Sequence, residues 1–319
     1  MSLTECERRL RILAAQAWDN EVRWSDITDW AKNFIGNTAP RQNEELHALF
    51  ALSRVMYFSR RLTREMLKAL YRDHFEAPMM QRIRRNFKNT KDVSILRRQY
   101  QDQLSATRFV GLGNPAESGA HLLYVFRQVN YLPKDYFSDL HSAFSSKPSR
   151  ARTGEIEYRI RDASVSRIVF FDDIVGSCTQ ARQYLSDELK RIRAGDPHFE
   201  LSFLSLFSTT EGLERLNAPE LFDGRASCLF ELDPSFKAFS GNARYFSDSP
   251  EWFNAISFQS MARQYGARLQ PRLPVGYKDG QLLLAFSHNT PDNTLPIFWD
   301  QGTLTPWHPI FPRFDKKYA

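Results

Sequence analysis

With 319 residues, 42% hydrophobic and 25% charged, the chain has ordinary globular proportions, and its 25 Phe, 12 Tyr and 6 Trp suffice for a core without staples. Three scattered cysteines (Cys6, Cys178, Cys228) exclude a disulfide framework and a CxxC metal pair, and point to a reducing compartment. Glu5, Glu7, Arg8 and Arg9 stand where a signal peptide would be apolar, and no apolar run nears the ~18 residues of a membrane span, so a soluble cytoplasmic protein with no membrane partner is expected.

The first hundred residues read as helices. Leu10, Leu13, Ala14 and Trp18 recur at helical spacing, Ser25 suits an N-cap ahead of Ile27, Trp30 and Phe34, and Gly36 a stop. Asn43 to Ala69 reads as the strongest single helix, with Leu46, Leu49, Phe50, Ser53, Met56 and Tyr57 at threes and fours. A further helix to Phe75 is expected to end at Pro78, and helical pattern continues to Tyr100. Charge concentrates here: between Ser53 and Arg98 thirteen Lys and Arg face four acids, a net +9 that leaves the rest of the chain at −3. Such an excess suits a nucleic acid or an acidic partner protein, and a solvated helical face fits it equally.

From about residue 105 the pattern changes. Arg108–Gly113 is a short β-like run, Asn114-Pro115 breaks it, and Ser118-Gly119 opens an apolar helix. Residues 145–154 have linker composition and read as a mobile loop. Val165–Phe171 is a continuous apolar run of the kind that forms a fully buried parallel strand. After it come a helix over Gln180–Arg193, a strand over Phe199–Phe207, a helix after Thr210 and a strand over Ala226–Leu232. A helix over Glu251–Tyr265 and a last strand over Gln281–Ser287 complete the chain. Strands alternating with helices imply an α/β fold with a parallel, doubly wound sheet. The expected organisation is a helical region over 1–104, basic in its second half, and an α/β domain over 105–319.

The chemistry is expected where the central strand stops, because open parallel sheets bind ligands outside the carboxyl ends of their strands. There the sequence reads Asp172-Asp173-Ile174-Val175-Gly176-Ser177-Cys178-Thr179-Gln180, and a helix comes at once after it. Adjacent carboxylates at a strand end need partners, which ribose hydroxyls or a hydrated Mg²⁺ would supply. Gly176 allows a tight turn, Ser177 and Thr179 add hydroxyls, and the helix N-terminus adds N–H groups and partial positive charge for a phosphate.

An apolar strand, two acids, two apolar residues and a small or hydroxyl loop entering a helix resemble the ribose-phosphate motif of type I phosphoribosyltransferases. The resemblance implies a parallel-sheet phosphoribosyltransferase-like (Rossmann-like) core with an N-terminal helical region. It gives Asp172 and Asp173 the ribose hydroxyls, as catalytic residues with indirect Mg²⁺ contact, and gives Gly176 to Gln180 the 5′-phosphate. Cys178 stands where the family has glycine and Gln180 where it has threonine. Upstream, Phe109–Gly113 and the loop to Gly119 resemble the family's pyrophosphate loop, with Glu117, Ser118 and Gly119 as contacts. The segment His288–Trp299, with Asn289 and Asn293, resembles the C-terminal signature of phosphoribosyltransferase-like effectors in bacterial anti-phage systems, some of them retron-associated. By this likeness the chain is expected to be an enzyme acting at ribose C1 of phosphoribosyl pyrophosphate or a nucleotide, in antiviral defence. The alternative is an inactive nucleotide sensor or interaction subunit that grips nucleic acid or a defence-system protein through residues 53–98.

Blander readings stand beside these. Asp172-Asp173 also fits a receiver-like or phosphatase-like acidic pair, or a capping turn. Gly111-Leu-Gly-Asn-Pro-Ala116 matches a GxGxxA fingerprint, but Pro115 delays the helix and no second strand delivers the acid about 20 residues on. Asn289 to Asn293 also fits an Asx-rich turn. Cys178 reads as a packing residue before it reads as a reactive thiol, and Trp299, Trp307 and the Pro-rich tail read as a strap over the core.

Overall fold

A computed structural model of the chain describes residues 3–113, 118–149 and 154–314. In chain order the elements begin with α1 (Leu3–Ile12), which runs on as a π-turn over Leu13–Ala17, then α2 (Trp24–Ala31), α3 (Arg41–Leu52), β1 (Met56–Phe58) and α4 (Arg60–Tyr71). A π-turn over Arg72–Glu76 leads into α5 (Ala77–Asn86), followed by α6 (Val93–Ser105), β2 (Thr107–Gly111), α7 (Ser118–Val129) and α8 (Leu140–Ala143). Next come β3 (Phe144–Pro148), β4 (Ile156–Ile160), β5 (Arg167–Val175) and α9 (Thr179–Gly195). The last are β6 (Glu200–Thr209), α10 (Thr210–Leu216), β7 (Ala226–Leu232), α11 (Ala255–Leu269) and β8 (Leu284–Phe286).

Several expectations change. The single helix expected over Asn43–Ala69 is two helices separated by β1, because Met56–Phe58 pairs in parallel with Leu284–Phe286. Its apolar spacing fits both forms, and only the distant partner strand decides. The N-cap of α2 is Arg23, whose N–H donates to Asp26 Oδ2 at 2.8 Å, so Ser25 lies in the first turn. Pro78 does not end a helix: it sits in the first turn of α5, directly after the π-turn over Arg72–Glu76. Of the expected loop, residues 145–148 form most of β3, paired antiparallel with β4, and residues 150–153 lie outside the described residues.

The contacts divide the chain into Met1–Thr63 with Asp233–Ala319, and Arg64–Leu232, which is not the division expected at residues 104 and 105. In the first unit the apolar faces of α1 to α3 are covered by α11, β8 and the C-terminal segment. Trp30 stacks on Phe298 at 5.5 Å and its indole N–H donates to the Ile297 carbonyl at 2.7 Å, while Trp307 donates to the same oxygen. Trp299 and Trp307 are buried, so the tail is part of the core. Glu44, 1% exposed, accepts from the N–H groups of Gly36, Thr38 and Ala39 and from the hydroxyls of Thr38 and Tyr265. Burial alone would raise this carboxyl, but those hydrogen bonds outweigh it and hold it below the usual range.

The second unit is the α/β part. Its four strands run in the order β2-β5-β6-β7, all parallel, with β5 buried along nearly its whole length. Phe126 of α7 packs on Phe109 and Phe171 from one face, at 5.3 and 5.2 Å. Ala181, Leu185, Leu189 and Ile192 of α9 join a cluster with Ile168, Phe170 and Phe203 on the other. Helices on both faces explain why β5 reads as an unbroken apolar run. At the amino ends of the strands the buried Arg167 guanidinium is held by Glu200 at 2.6 Å and Thr107 at 3.1 Å. No helix among the described residues is long and apolar enough to cross a membrane.

Candidate functional site

β5 extends past its apolar run, so Asp172 and Asp173 lie within the strand, 8% and 6% exposed. Each carboxylate folds back onto the chain. Asp172 Oδ1 accepts the Asp173 N–H at 2.9 Å, and Asp173 Oδ1 accepts the Ile174 N–H at 2.8 Å. β2 ends opposite Phe171, whereas β6 continues opposite Asp172, Ile174 and Val175. The flank of β5 therefore loses its β2 neighbour where the acids begin. Successive side chains leave a strand on opposite faces, so the two carboxylates leave β5 on opposite sides.

The turn after β5 is tethered from one side. Ser208 Oγ donates to the Val175 carbonyl at 3.3 Å, Thr209 Oγ1 to the Gly176 carbonyl at 2.7 Å, and Arg215 Nη1 to the Ser177 carbonyl at 3.0 Å. The described peptides are trans. In a planar trans peptide the carbonyl and the next N–H point in opposite directions. The N–H groups of Gly176, Ser177 and Cys178 are thereby turned away from β6 and α10. Cys178 adopts φ 60° and ψ 9°, the left-handed conformation, just before α9, and its side chain makes no cap to the helix. Ser177 Oγ lies 3.0 Å from Thr179 Oγ1. Consecutive N–H groups, two hydroxyls and a helix start without a side-chain cap make a seat for an anion. Gly212 permits the tethering: a Cβ there would lie 2.2 Å from the Gly176 oxygen and 2.8 Å from that of Val175.

The Cys178 side chain is 3% exposed and packs in the cluster with Ala181 and Leu185. Burial pushes its thiol up to about 11, so this residue offers backbone to a ligand and not a thiolate. Gln180 is half-buried in the first turn of α9. At the β2–α7 connection a Cβ on Gly119 would meet the oxygens of Leu112 at 3.0 Å and Phe171 at 3.2 Å. The start of α7 thus rests against the backbone just ahead of Asp172. Glu117 lies outside the described residues, and Ser118 is the first residue of α7.

Asn289 and Asn293 belong to the other unit, in which β8 pairs with β1. Asn289 Oδ1 accepts the Phe314 N–H at 3.2 Å, and Asn293 Nδ2 donates to the Tyr277 carbonyl at 3.2 Å. Sequence reasoning missed Thr209, Gly212 and Arg215. A cap is readable in Thr209, whose Oγ1 accepts from the Gly212 N–H at 3.0 Å, but its grip on Gly176 has no local signature. Among the described residues no group of three or more His, Cys, Asp or Glu is arranged to hold a metal ion.

Comparisons with known proteins bear on the family. No curated protein matches the chain. Among solved structures, the chain is similar to orotate phosphoribosyltransferase from Aeropyrum pernix, with 17% identity and a TM-score of 0.25, over 41% of this chain and 64% of that one. It is also similar to xanthine-guanine-hypoxanthine phosphoribosyltransferase from Helicobacter pylori, with 13% identity and a TM-score of 0.27, over 65% of this chain and 98% of that one. These likenesses are loose, and the chain spans under two thirds of the Aeropyrum enzyme's length. The family model is more telling: it matches residues 27–313, beginning in α2. On that match, across most of the sequence and both units, the chain belongs to the PRTase-CE family, a phosphoribosyltransferase-like group.

Proposed function

We propose that the protein binds a 5-phosphoribosyl group at the β5–α9 turn and transfers or hydrolyses it at ribose C1, with phosphoribosyl pyrophosphate or a nucleotide as substrate. One observation carries this reading: two buried carboxylates on a strand flank beyond the end of β2 lead into a turn whose N–H groups face away from its tethers. Asp172 and Asp173 accept hydrogen bonds from the ribose hydroxyls. The N–H groups of Gly176, Ser177 and Cys178, the hydroxyls of Ser177 and Thr179, and Gln180 hold the 5′-phosphate. The loop over Glu117, Ser118 and Gly119 receives the pyrophosphate. Bond breaking at C1 develops oxocarbenium character, and the protein's part is to hold the sugar in line and stabilise the charge that develops.

The donor set fits Mg²⁺ carried mainly by the substrate's phosphates and water, with Asp172 and Asp173 in indirect contact. When bound, such an ion would supply positive charge at the leaving pyrophosphate. Asn289 and Asn293 take no part in this reading, because their side chains are bonded to the backbone at Phe314 and Tyr277.

Calorimetric titration with phosphoribosyl pyrophosphate and Mg²⁺, with an assay of pyrophosphate release, tests the reading. Wild type should bind and turn over, and Asp172→Asn with Asp173→Asn should remain folded and do neither. Equal turnover in that double variant ends it. Binding without turnover supports the second reading, a nucleotide sensor, which Gln180 favours by standing where the resembling motif has threonine. An anti-phage, retron-associated effector role rests on the His288–Trp299 resemblance alone. It requires toxicity on unregulated expression that the double variant abolishes.

A further inference from the structure

The net +9 over residues 53–98 is not one surface. Five of its thirteen cations have partners: Arg54 with Asp248, Arg61 with Asp19, Lys68 with Glu65, Arg72 with Asp73 and Arg82 with Glu200. The remainder concentrates in the α5–α6 hairpin. Arg84, Arg85, Lys88, Lys91, Arg97 and Arg98 are all exposed, and among the described residues none has an ion-pair partner. Asp92, the acid inside this stretch, is spent as the N-cap of α6, accepting from the N–H groups of Ser94 and Ile95.

Six like charges within fifteen residues repel one another in a folded protein. They gain most from a ligand that is itself a line of negative charge. Two apolar side chains lie among them at the turn of the hairpin, Phe87 at 40% and Val93 at 58% exposure. An exposed ring amid arginines is what a polynucleotide uses, stacking a base on the ring while phosphates meet the cations. An acidic polypeptide would use the charges and leave the ring idle. We infer that the α5–α6 hairpin is a docking surface for single-stranded nucleic acid, with Phe87 as a stacking platform. The phosphoribosyl site is not required for this.

The test is fluorescence anisotropy on the full chain with labelled oligo-dT and oligo-U of about 20 nucleotides, a duplex of the same length, and polyglutamate. Single strands should bind best, with the logarithm of the affinity falling linearly with that of the salt concentration. Arg84→Gln with Arg85→Gln, and separately Arg97→Gln with Arg98→Gln, should each weaken binding roughly tenfold and flatten the salt slope. Phe87→Ala should weaken it about fivefold or more at an unchanged salt slope. All three variants should keep the wild-type melting temperature and phosphoribosyl pyrophosphate affinity. A difference between oligo-dT and oligo-U would assign DNA or RNA within the proposal. No oligonucleotide binding, equal binding of polyglutamate, tighter binding of the duplex, or indifference to both arginine pairs would each overturn it.

Discussion

Two strand-end segments read alike in the sequence: Asp172–Gln180 after one apolar run and His288–Asn293 after another. Folded, they do opposite things. The first follows the central strand of a four-stranded sheet, beyond the end of β2, with its carbonyls tied back by Ser208, Thr209 and Arg215. The second comes after a three-residue strand whose sheet partner is β1, and its Asn side chains bond to backbone at Phe314 and Tyr277. A polar segment after a strand can thus be tied back by side chains of the next strand and helix or spend its own side chains on backbone. The strand's neighbours decide which.

The largest expected effect separates the two segments by function. Asp172→Asn with Asp173→Asn should lower turnover by about three orders of magnitude or more, since charge complementarity at the reacting sugar is lost. Far-UV circular dichroism should match wild type. Asn289→Ala with Asn293→Ala should leave turnover intact, and a comparable loss there would break the contrast.

Next is the tether. Gly212→Ala places a methyl group against the Gly176 oxygen. It should cost roughly 1–3 kcal/mol of stability and weaken phosphate affinity, read by urea unfolding and calorimetry. Unchanged affinity would mean that the turn does not hold the phosphate.

A third contrast uses pH. Glu44 has its folded carboxyl held below the unfolded value of about 4.3, so its contribution is fully present above that value and is lost as pH falls through the lowered folded one. Glu44→Gln should cost about 2 kcal/mol at neutral pH, and the gap to wild type in thermal unfolding should narrow below about pH 4. A constant gap would show that charge at Glu44 is not what holds the Gly36–Ala39 loop.

The smallest effect belongs to the structural asparagines. Asn293→Ala removes one hydrogen bond to the Tyr277 carbonyl and should cost about 1 kcal/mol. Differential scanning fluorimetry would register it, whereas phosphoribosyl pyrophosphate affinity should not move.

Much of the fold was legible because the signals were local. Ala226–Leu232 is a strand over its expected span, and α9 and β6 lie within a few residues of theirs. The acidic pair was legible too, since burying two adjacent carboxylates demands a reason. What escaped depended on distant partners. β1 looks like helix until β8 is beside it, and Gly212 looks like an ordinary helical glycine until Gly176 is against it.

By itself, then, the order of residues determined most helices and the strands of the parallel sheet, the apolar central strand and the acids at its end, because periodicity and side-chain chemistry act over a few neighbours. Tertiary structure alone decided that the two ends of the chain share one core, that five of the thirteen cations are paired among the described residues, and that the turn's N–H groups face away from their tethers. Those outcomes depend on which surfaces meet, and a chain read in one dimension does not contain the meeting.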